Sequence, residues 1–248
     1  MPGAITLSQV GLRFRIDREK LNTLKEAVLG AFRHRLPSED FWAIRDVSLA
    51  VRPGESVGLI GHNGSGKSTL LRVMAGVLRP SEGTVLVDGR VSPIIELGAG
   101  FDPELTGRDN IFLNGALLGH SRRDMARKME RIVEFSDLGD FIDVSLKSYS
   151  SGMLARLGFA IAADVEPNVL LIDEVLAVGD ERFQARCRDR IGAIRRGGCT
   201  VVYVSHDLGS VAETCDRALV LHHGRLVFDG ASAAAIARYR ELHGAPAP

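Results

Sequence analysis

A glycine-rich segment has the composition and spacing of a phosphate-binding loop. Residues 61–68 read GHNGSGKS and fit the pattern G-x-x-x-x-G-K-[ST]. An apolar run at 57–60 precedes the loop, and a run with helical periodicity follows from Thr69 to Leu78. Glycines let successive backbone N–H groups curve around phosphate oxygens, and a helix N-terminus adds the positive end of its dipole. The segment therefore predicts a nucleoside triphosphate site between a buried strand and a helix.

Two side chains of this loop have predicted roles. The ammonium of Lys67 should reach the β- and γ-phosphates and take part in catalysis, and the Ser68 hydroxyl should bind Mg²⁺. The predicted cofactors are ATP and Mg²⁺. The residues predicted to surround the nucleotide are Gly61, His62, Asn63, Gly64, Ser65, Gly66, Lys67, Ser68 and Thr69.

Three further residues follow buried apolar runs, where ligands collect at the carboxyl edge of a parallel sheet. Asp173 and Glu174 follow the run at 169–172, and His206 follows the run at 201–204. We predict that Asp173 holds Mg²⁺, directly or through water, and that Glu174 is the general base for the attacking water. His206 is predicted to contact the γ-phosphate or to order that water.

The remaining patterns indicate an α/β chain of 248 residues in a single domain. Residues 5–10 alternate apolar with polar, and 47–51 read as a second strand. The middle of the chain is predicted to be helical, because Ser121 and Asp124 have capping-box spacing and Met125 and Met129 follow at helical intervals. The methionines are predicted to lie in a core. Only the tail, about 243–248, is expected to be unstructured.

Composition argues against several classes of protein. Lys and Arg total 31, as do Asp and Glu, so no basic footprint favours nucleic acid. The three cysteines form no CxxC pair, which indicates a reducing compartment rather than a disulfide or zinc framework. No apolar stretch approaches the ~18 residues that a membrane span needs, and the start lacks a secretory signal pattern. Any membrane role is therefore expected to come from a partner.

An amphipathic segment at about 20–34 carries leucines at helical spacing among basic residues. Two interpretations stay open. It is either a helix lying on its own domain or a docking element for a partner or for lipid headgroups.

The segment Tyr149-Ser150-Ser151-Gly152-Met153, upstream of Asp173, resembles the signature sequence of ABC ATPases. The whole chain then resembles an ABC nucleotide-binding domain. That resemblance implies the P-loop NTPase fold: a RecA-like parallel-sheet core, an N-terminal antiparallel β lobe and a helical, signature-bearing lobe at about 100–163. It also implies a head-to-tail dimer of two copies, in which Ser150, Ser151 and Gly152 contact the ATP bound by the other subunit. Residues 177–180 fall where the family has its D-loop.

Departures from the common ABC sequence pattern indicate which group within the family the chain resembles. Ser151 and Met153 replace a glycine and a glutamine of the signature, Glu96 replaces the Q-loop glutamine, and residues 97–110 contain a Gly-Ala-Gly-Phe segment. These features resemble ATP-binding subunits of polysaccharide exporters, which handle O-antigen, teichoic acid and galactan chains. By resemblance, Glu96 is a Mg²⁺ candidate, and Phe14, Phe41 and Trp42 compete as the aromatic that stacks on adenine.

The resemblance implies a subunit at the cytoplasmic face of the bacterial cytoplasmic membrane. Its expected partners are a second copy, an integral membrane permease and a lipid-linked glycan, with no nucleic acid. An importer subunit for a different solute is the alternative. Because only a short segment follows Gly230, we also expect no C-terminal carbohydrate-binding domain.

Overall fold

The computed structural model describes residues 2–16, 39–95, 97–173 and 179–244, apart from the side chains at 16 and 39. The predicted helix at 20–34, Glu96, Glu174, the D-loop residues Ala177 and Val178, and the last four residues of the tail lie outside this part of the chain.

The N-terminal part forms an antiparallel sheet in the order β2-β1-β4, built from β1 (Ile5–Ile16), β2 (Glu39–Val51) and β4 (Glu82–Val87). Ile5 and Leu7 are buried while Thr6 and Ser8 are exposed, as the alternation in the sequence predicts. The first two strands extend well beyond the predicted segments. The alternation breaks at Gln9, whose φ is 50°, where the pairing register shifts and a bulge re-aims the strand.

The second sheet has six strands in the order β5-β6-β7-β3-β8-β9, all parallel except the last pair. Its strands are β3 (Ser56–Ile60), β5 (Val91–Ile94), β6 (Val169–Ile172), β7 (Thr200–Val204), β8 (Arg217–His222) and β9 (Arg225–Ala231). All residues of β6 are buried, which confirms the prediction from its continuous apolar run. The carboxyl ends of β6, β7 and β3 therefore lie side by side.

Seven α-helices cover and extend these sheets within the described residues. They are α1 (Lys67–Met74), α2 (Gly107–Leu117), α3 (Arg122–Ser136), α4 (Ser151–Asp164), α5 (Glu181–Arg196), α6 (Leu208–Thr214) and α7 (Ser232–Leu242). Two 3₁₀ turns, Gly139–Asp143 and Leu146–Ser148, lead from α3 to α4. Helix α1 begins at Lys67, directly after its N-cap Gly66, and it ends earlier than periodicity predicts because a tight turn returns the Gly76 N–H to the Val73 carbonyl oxygen.

Helices α2, α3 and α4 have a core of their own. Met125, Met129 and Ile132 of α3 pack against Ile111 of α2 and Leu157 of α4, which confirms that the methionines are core residues. The predicted cap is present, since the Ser121 hydroxyl accepts a hydrogen bond from the Asp124 N–H at 3.1 Å. Among the described residues, no helix combines the length and apolar character that crossing a bilayer requires.

Candidate nucleotide-binding site

The glycine-rich loop joins the end of β3 to the start of α1, in the centre of the six-stranded sheet. Gly66 is the N-cap of α1 and has φ 106°, a backbone conformation that residues with a Cβ rarely adopt. A Cβ there would lie 2.7 Å from the Ala43 carbonyl oxygen, and one at Gly61 would lie 2.3 Å from the Leu221 carbonyl oxygen. The close approach of β2 and β8 therefore requires glycine at both positions.

Lys67 folds back over the loop that precedes it. Its Nζ donates to the carbonyl oxygens of Gly61 at 2.7 Å and His62 at 3.1 Å, and the residue is only 8% exposed. Asn63 and Gly64, at the tip of the loop, are exposed. The ammonium and the N–H groups at the helix N-terminus thus concentrate positive charge beside a solvent-accessible loop, which suits an anionic ligand.

The loop and the first turn of α1 also place three hydroxyl groups near the proposed phosphate position. Ser68 and Thr69 lie in the first turn of α1 and are partly exposed. The Ser65 hydroxyl is buried and has no hydrogen-bond partner among the described residues. Because a buried polar group without a partner is costly, this hydroxyl marks a place where a ligand oxygen or water is expected.

Asp173 and His206 follow neighbouring strands at the same edge of the sheet as the loop. Ile172 pairs with Tyr203, and Val204 pairs with Leu59, so both residues lie just beyond the carboxyl ends that flank the loop. The segment after β7 is ordered, because the Ser205 hydroxyl accepts from the Asp207 N–H at 3.0 Å. Hydrogen bonds from Ser210 and Gly209 hold the pKa of the Asp207 carboxyl below its usual range.

The three aromatic candidates for adenine stacking differ in exposure. Phe14 and Phe41 pair across β1 and β2 and are 43% and 53% exposed. Trp42 is half-buried, with the Arg13 and Arg45 guanidinium carbons 5.8 Å and 5.9 Å from its ring centre. These arginines already engage the indole, so the two phenylalanines offer the more accessible rings.

The signature segment forms the N-terminus of α4. The Ser150 hydroxyl caps this helix by accepting from the Met153 N–H at 3.2 Å, and Ser150 and Ser151 are exposed. Space around Gly152 is open: among the described residues outside the backbone of its own helix, a Cβ there would meet the Ser150 hydroxyl at 3.8 Å and nothing else within 4 Å. The result is an exposed helix N-terminus with free N–H groups, which favours an anion supplied by another molecule.

Two residues for which the sequence predicts no anchoring role hold this helix in place. Tyr149 is buried and donates its hydroxyl to the Phe141 carbonyl oxygen at 2.5 Å, and burial raises its pKa. Arg156 donates to Asp180 at 2.6 Å and lies 5.1 Å from the Phe183 ring centre. It thereby ties α4 to the start of α5. The backbone hydrogen bond from Phe183, followed by Arg156, lowers the pKa of Asp180.

Glu174 and Glu96 stay predictions, because neither residue is described. The structure brings the loop 61–69, Asp173 and His206 to one edge of the sheet, while Ser150–Gly152 lie on the separate helical part. Among the described residues, no hydrogen bond joins the first turn of α4 to the glycine-rich loop at 61–69.

Comparison with known proteins identifies the family. The family model described as "ABC transporter" matches residues 44–177. The chain is 50% identical over 206 residues to the O-antigen export system ATP-binding protein RfbB of Klebsiella pneumoniae, covering 83% of this chain and 84% of that protein. It is 44% identical over 204 residues to the teichoic acids export ATP-binding protein TagH of Listeria monocytogenes, covering 82% of this chain and 61% of that protein.

Among solved structures, a dimeric ATP-binding cassette in a post-hydrolysis state, bound to ADP and Pi, superposes with a TM-score of 0.71. The match has 19% identity and covers 92% of this chain and 98% of that one. The predicted P-loop NTPase fold is therefore confirmed. Taken with the matched family and the two relatives, the chain belongs to the ABC transporter family, as one of its nucleotide-binding ATPase subunits.

Proposed function

We propose that this chain binds and hydrolyses ATP to drive export of a lipid-linked polysaccharide across the bacterial cytoplasmic membrane. The observation that carries the proposal is the 50% identity to an O-antigen export protein over 84% of that protein's length. This similarity favours export over the importer alternative. In this proposal the subunit works at the cytoplasmic face, beneath an integral membrane permease.

The described residues support a binding step in which Lys67 changes partners. In the structure its ammonium is held by two loop carbonyls. When ATP enters, the ammonium exchanges them for β- and γ-phosphate oxygens, while the loop N–H groups bind the remaining phosphate charge. An exposed phenylalanine of β1 or β2 supplies the face for adenine.

The proposed Mg²⁺ position suits the oxygen donors at the sheet edge. Ser68 supplies a hydroxyl and Asp173 a carboxylate, which are the hard donors that Mg²⁺ prefers. When bound, Mg²⁺ neutralises charge on the β- and γ-phosphates. Asp173 is anchored, since its backbone N–H donates to the Ile94 carbonyl oxygen at 3.0 Å. Glu174, directly after it, is proposed to take the proton of the attacking water, and His206 to orient that water or the γ-phosphate.

The working unit in this proposal is a dimer of two copies. The N-terminus of α4 supports it, because Ser150 and Ser151 are exposed and no described hydrogen bond joins this segment to the loop 61–69 of its own chain. A second copy placed head to tail would bring these donors to the γ-phosphate of the first copy's ATP.

An apolar groove supports a further contact, with the permease. It lies between the end of α1 and α2, and its rim carries Val77 and Leu117, which are 64% and 65% exposed. Leu97, Gly98 and Gly158 form part of its lining. Exposed apolar surface of this kind is typical of a protein interface.

Gene replacement in the host bacterium tests the proposal. A Lys67→Met subunit should abolish surface polysaccharide and leave the lipid-linked polymer inside the cell, while the exposed-surface control Arg123→Met should export normally. Normal surface polysaccharide in a Lys67→Met strain, combined with loss of uptake of some nutrient, would contradict export and favour the importer alternative.

A further inference from the structure

Four imidazole rings gather beside the phosphate-binding loop. The ring centres of His62, His222 and His223 lie 4.3–5.3 Å apart, and the His243 ring lies 5.5 Å from that of His62. His62, His222 and His223 each offer one ring nitrogen, and these three nitrogens lie within 4.8 Å of one another. The proposed steps of nucleotide binding and hydrolysis use the backbone of His62 but assign no role to a cluster of imidazole rings.

Strand pairing explains why these histidines meet. Ile60, the last residue of β3, pairs with Val220 of β8 in a parallel register, and a histidine lies two residues beyond each of them. His62 and His222 are therefore neighbours. His223 follows in the tight turn between β8 and β9, where it has φ 46°. This left-handed conformation is uncommon for a residue with a side chain, and it is imposed by the turn that carries the third imidazole.

The hydrogen bonding of His62 leaves one nitrogen with a free lone pair. Its Nδ1 lies 2.7 Å from the Asn63 carbonyl oxygen. A carbonyl can only accept, so Nδ1 carries the hydrogen, and in the neutral ring Nε2 is unprotonated. That Nε2 is buried and has no hydrogen-bond partner among the described residues. An imidazole whose other nitrogen donates to a backbone carbonyl is the usual arrangement of a metal ligand.

His222 shows the same lack of a partner. Its Nδ1 is buried and makes no hydrogen bond within the described part of the chain. Two orphaned ring nitrogens in one cluster would each carry a desolvation cost, and one cation between them would satisfy both.

We propose that His62, His222 and His223 form a binding site for a divalent transition-metal ion of the zinc class. Imidazole nitrogens suit such ions, and three protein ligands with a solvent molecule make a common four-coordinate set. In a tetrahedral site the nitrogens lie about 3.4 Å apart, given Zn–N bonds of about 2.0–2.1 Å. The present nitrogen spacing is up to 4.8 Å, so the imidazole rings would have to turn toward one another when the ion binds. The exposed side chain of His223 leaves the ion an access path.

The site joins two elements that already touch. The Gly224 N–H donates to the Ser65 carbonyl oxygen at 2.9 Å, and the Arg45 N–H donates to the Gly224 carbonyl oxygen at 2.8 Å. A metal ion would add a second link between the β8–β9 turn and the loop whose His62 carbonyl holds Lys67. Binding should therefore stabilise the folded chain.

Calorimetry with Zn²⁺ alone tests the proposal on untagged, chelator-treated full-length protein without nucleotide. The informative variant is His223→Asn, because this side chain is exposed and asparagine tolerates a positive φ. We expect one Zn²⁺ per wild-type chain and affinity at least ~100-fold lower in His223→Asn. His120→Asn, the same exchange at a histidine outside the cluster, should bind as wild type does.

Two readouts independent of ATP hydrolysis accompany the titration. Co²⁺ should give the intense visible band of a tetrahedral site in wild type and His120→Asn but not in His223→Asn. Zn²⁺ at ~100 times its Kd should raise the wild-type Tm by about 5 °C or more, and this rise should vanish in His223→Asn. A wild-type chain that binds no Zn²⁺, or a His223→Asn chain that binds it equally tightly, would overturn the site.

Discussion

Replacing Lys67 by methionine isolates what the ammonium contributes to nucleotide binding. Methionine keeps an unbranched apolar stem of similar length and removes the charge that Gly61 and His62 hold. In the nucleotide complex the Lys67 ammonium would instead donate hydrogen bonds to phosphate oxygens. Charge-assisted hydrogen bonds contribute about 1.5–3 kcal/mol, so affinity for ATP should fall about 10- to 150-fold.

The assay is calorimetric titration of ATP with Mg²⁺ into wild type, Lys67→Met and the control Arg123→Met, whose side chain lies on the exposed face of α3. Thermal melts of each variant show that the fold is kept. Since the charge acts on bound nucleotide and on the transition state alike, kcat/KM should fall at least as far as affinity does. Unchanged affinity in a folded Lys67→Met chain would refute the argument that this ammonium binds phosphate.

Two substitutions and one labelling experiment probe catalysis, the signature anchor and the buried thiols. Glu174→Gln should keep ATP affinity but lower the hydrolysis rate ~10²-fold or more, because the water loses its base; wild-type turnover would remove Glu174 from that role. Tyr149→Phe removes the hydrogen bond to the Phe141 carbonyl oxygen and should lower the free energy of unfolding, measured in urea melts, by about 0.5–1.5 kcal/mol. An unchanged free energy of unfolding would show that the hydroxyl does not anchor the signature segment. Burial raises thiol pKa values to about 12, 11 and 12 at Cys187, Cys199 and Cys215. Thiolates react and thiols do not, so a disulfide reagent at pH 8 should label all three only after unfolding, whereas rapid native labelling would contradict this.

The core sheet was the most predictable part of the fold. Strands buried on both faces leave continuous apolar runs, so β6 was located to the residue and β7 to within one. Edge and bulged strands leave weaker patterns. Alternation predicts only the first half of β1 because the bulge at Gln9 interrupts it, and it predicts β2 only from Val47 because Asp46, with φ 52°, breaks the strand pattern there.

The residues of the candidate site likewise differ in how far the sequence predicts them. The loop 61–69 was evident because a local motif encodes it, and Asp173 and His206 followed because parallel strands end at one edge. The anchoring of Ser150 by Tyr149 and the salt bridge of Arg156 to Asp180 depend on contacts between distant segments. The histidine cluster likewise arises only from the β3–β8 register, which no local pattern in the sequence reports.

The most direct test of a catalytic site shared between two copies is ATP hydrolysis by mixed variants. Ser150→Arg blocks the signature of one subunit, and Lys67→Met disables the loop of the other, so each homodimer should be inactive. A heterodimer has one intact pairing of loop and signature. Equal mixing should therefore restore about a quarter of the wild-type rate if half the dimers are mixed and one of two sites works. If Ser150→Arg alone hydrolyses ATP at the wild-type rate, or if no mixture of folded variants recovers activity, the shared site is contradicted.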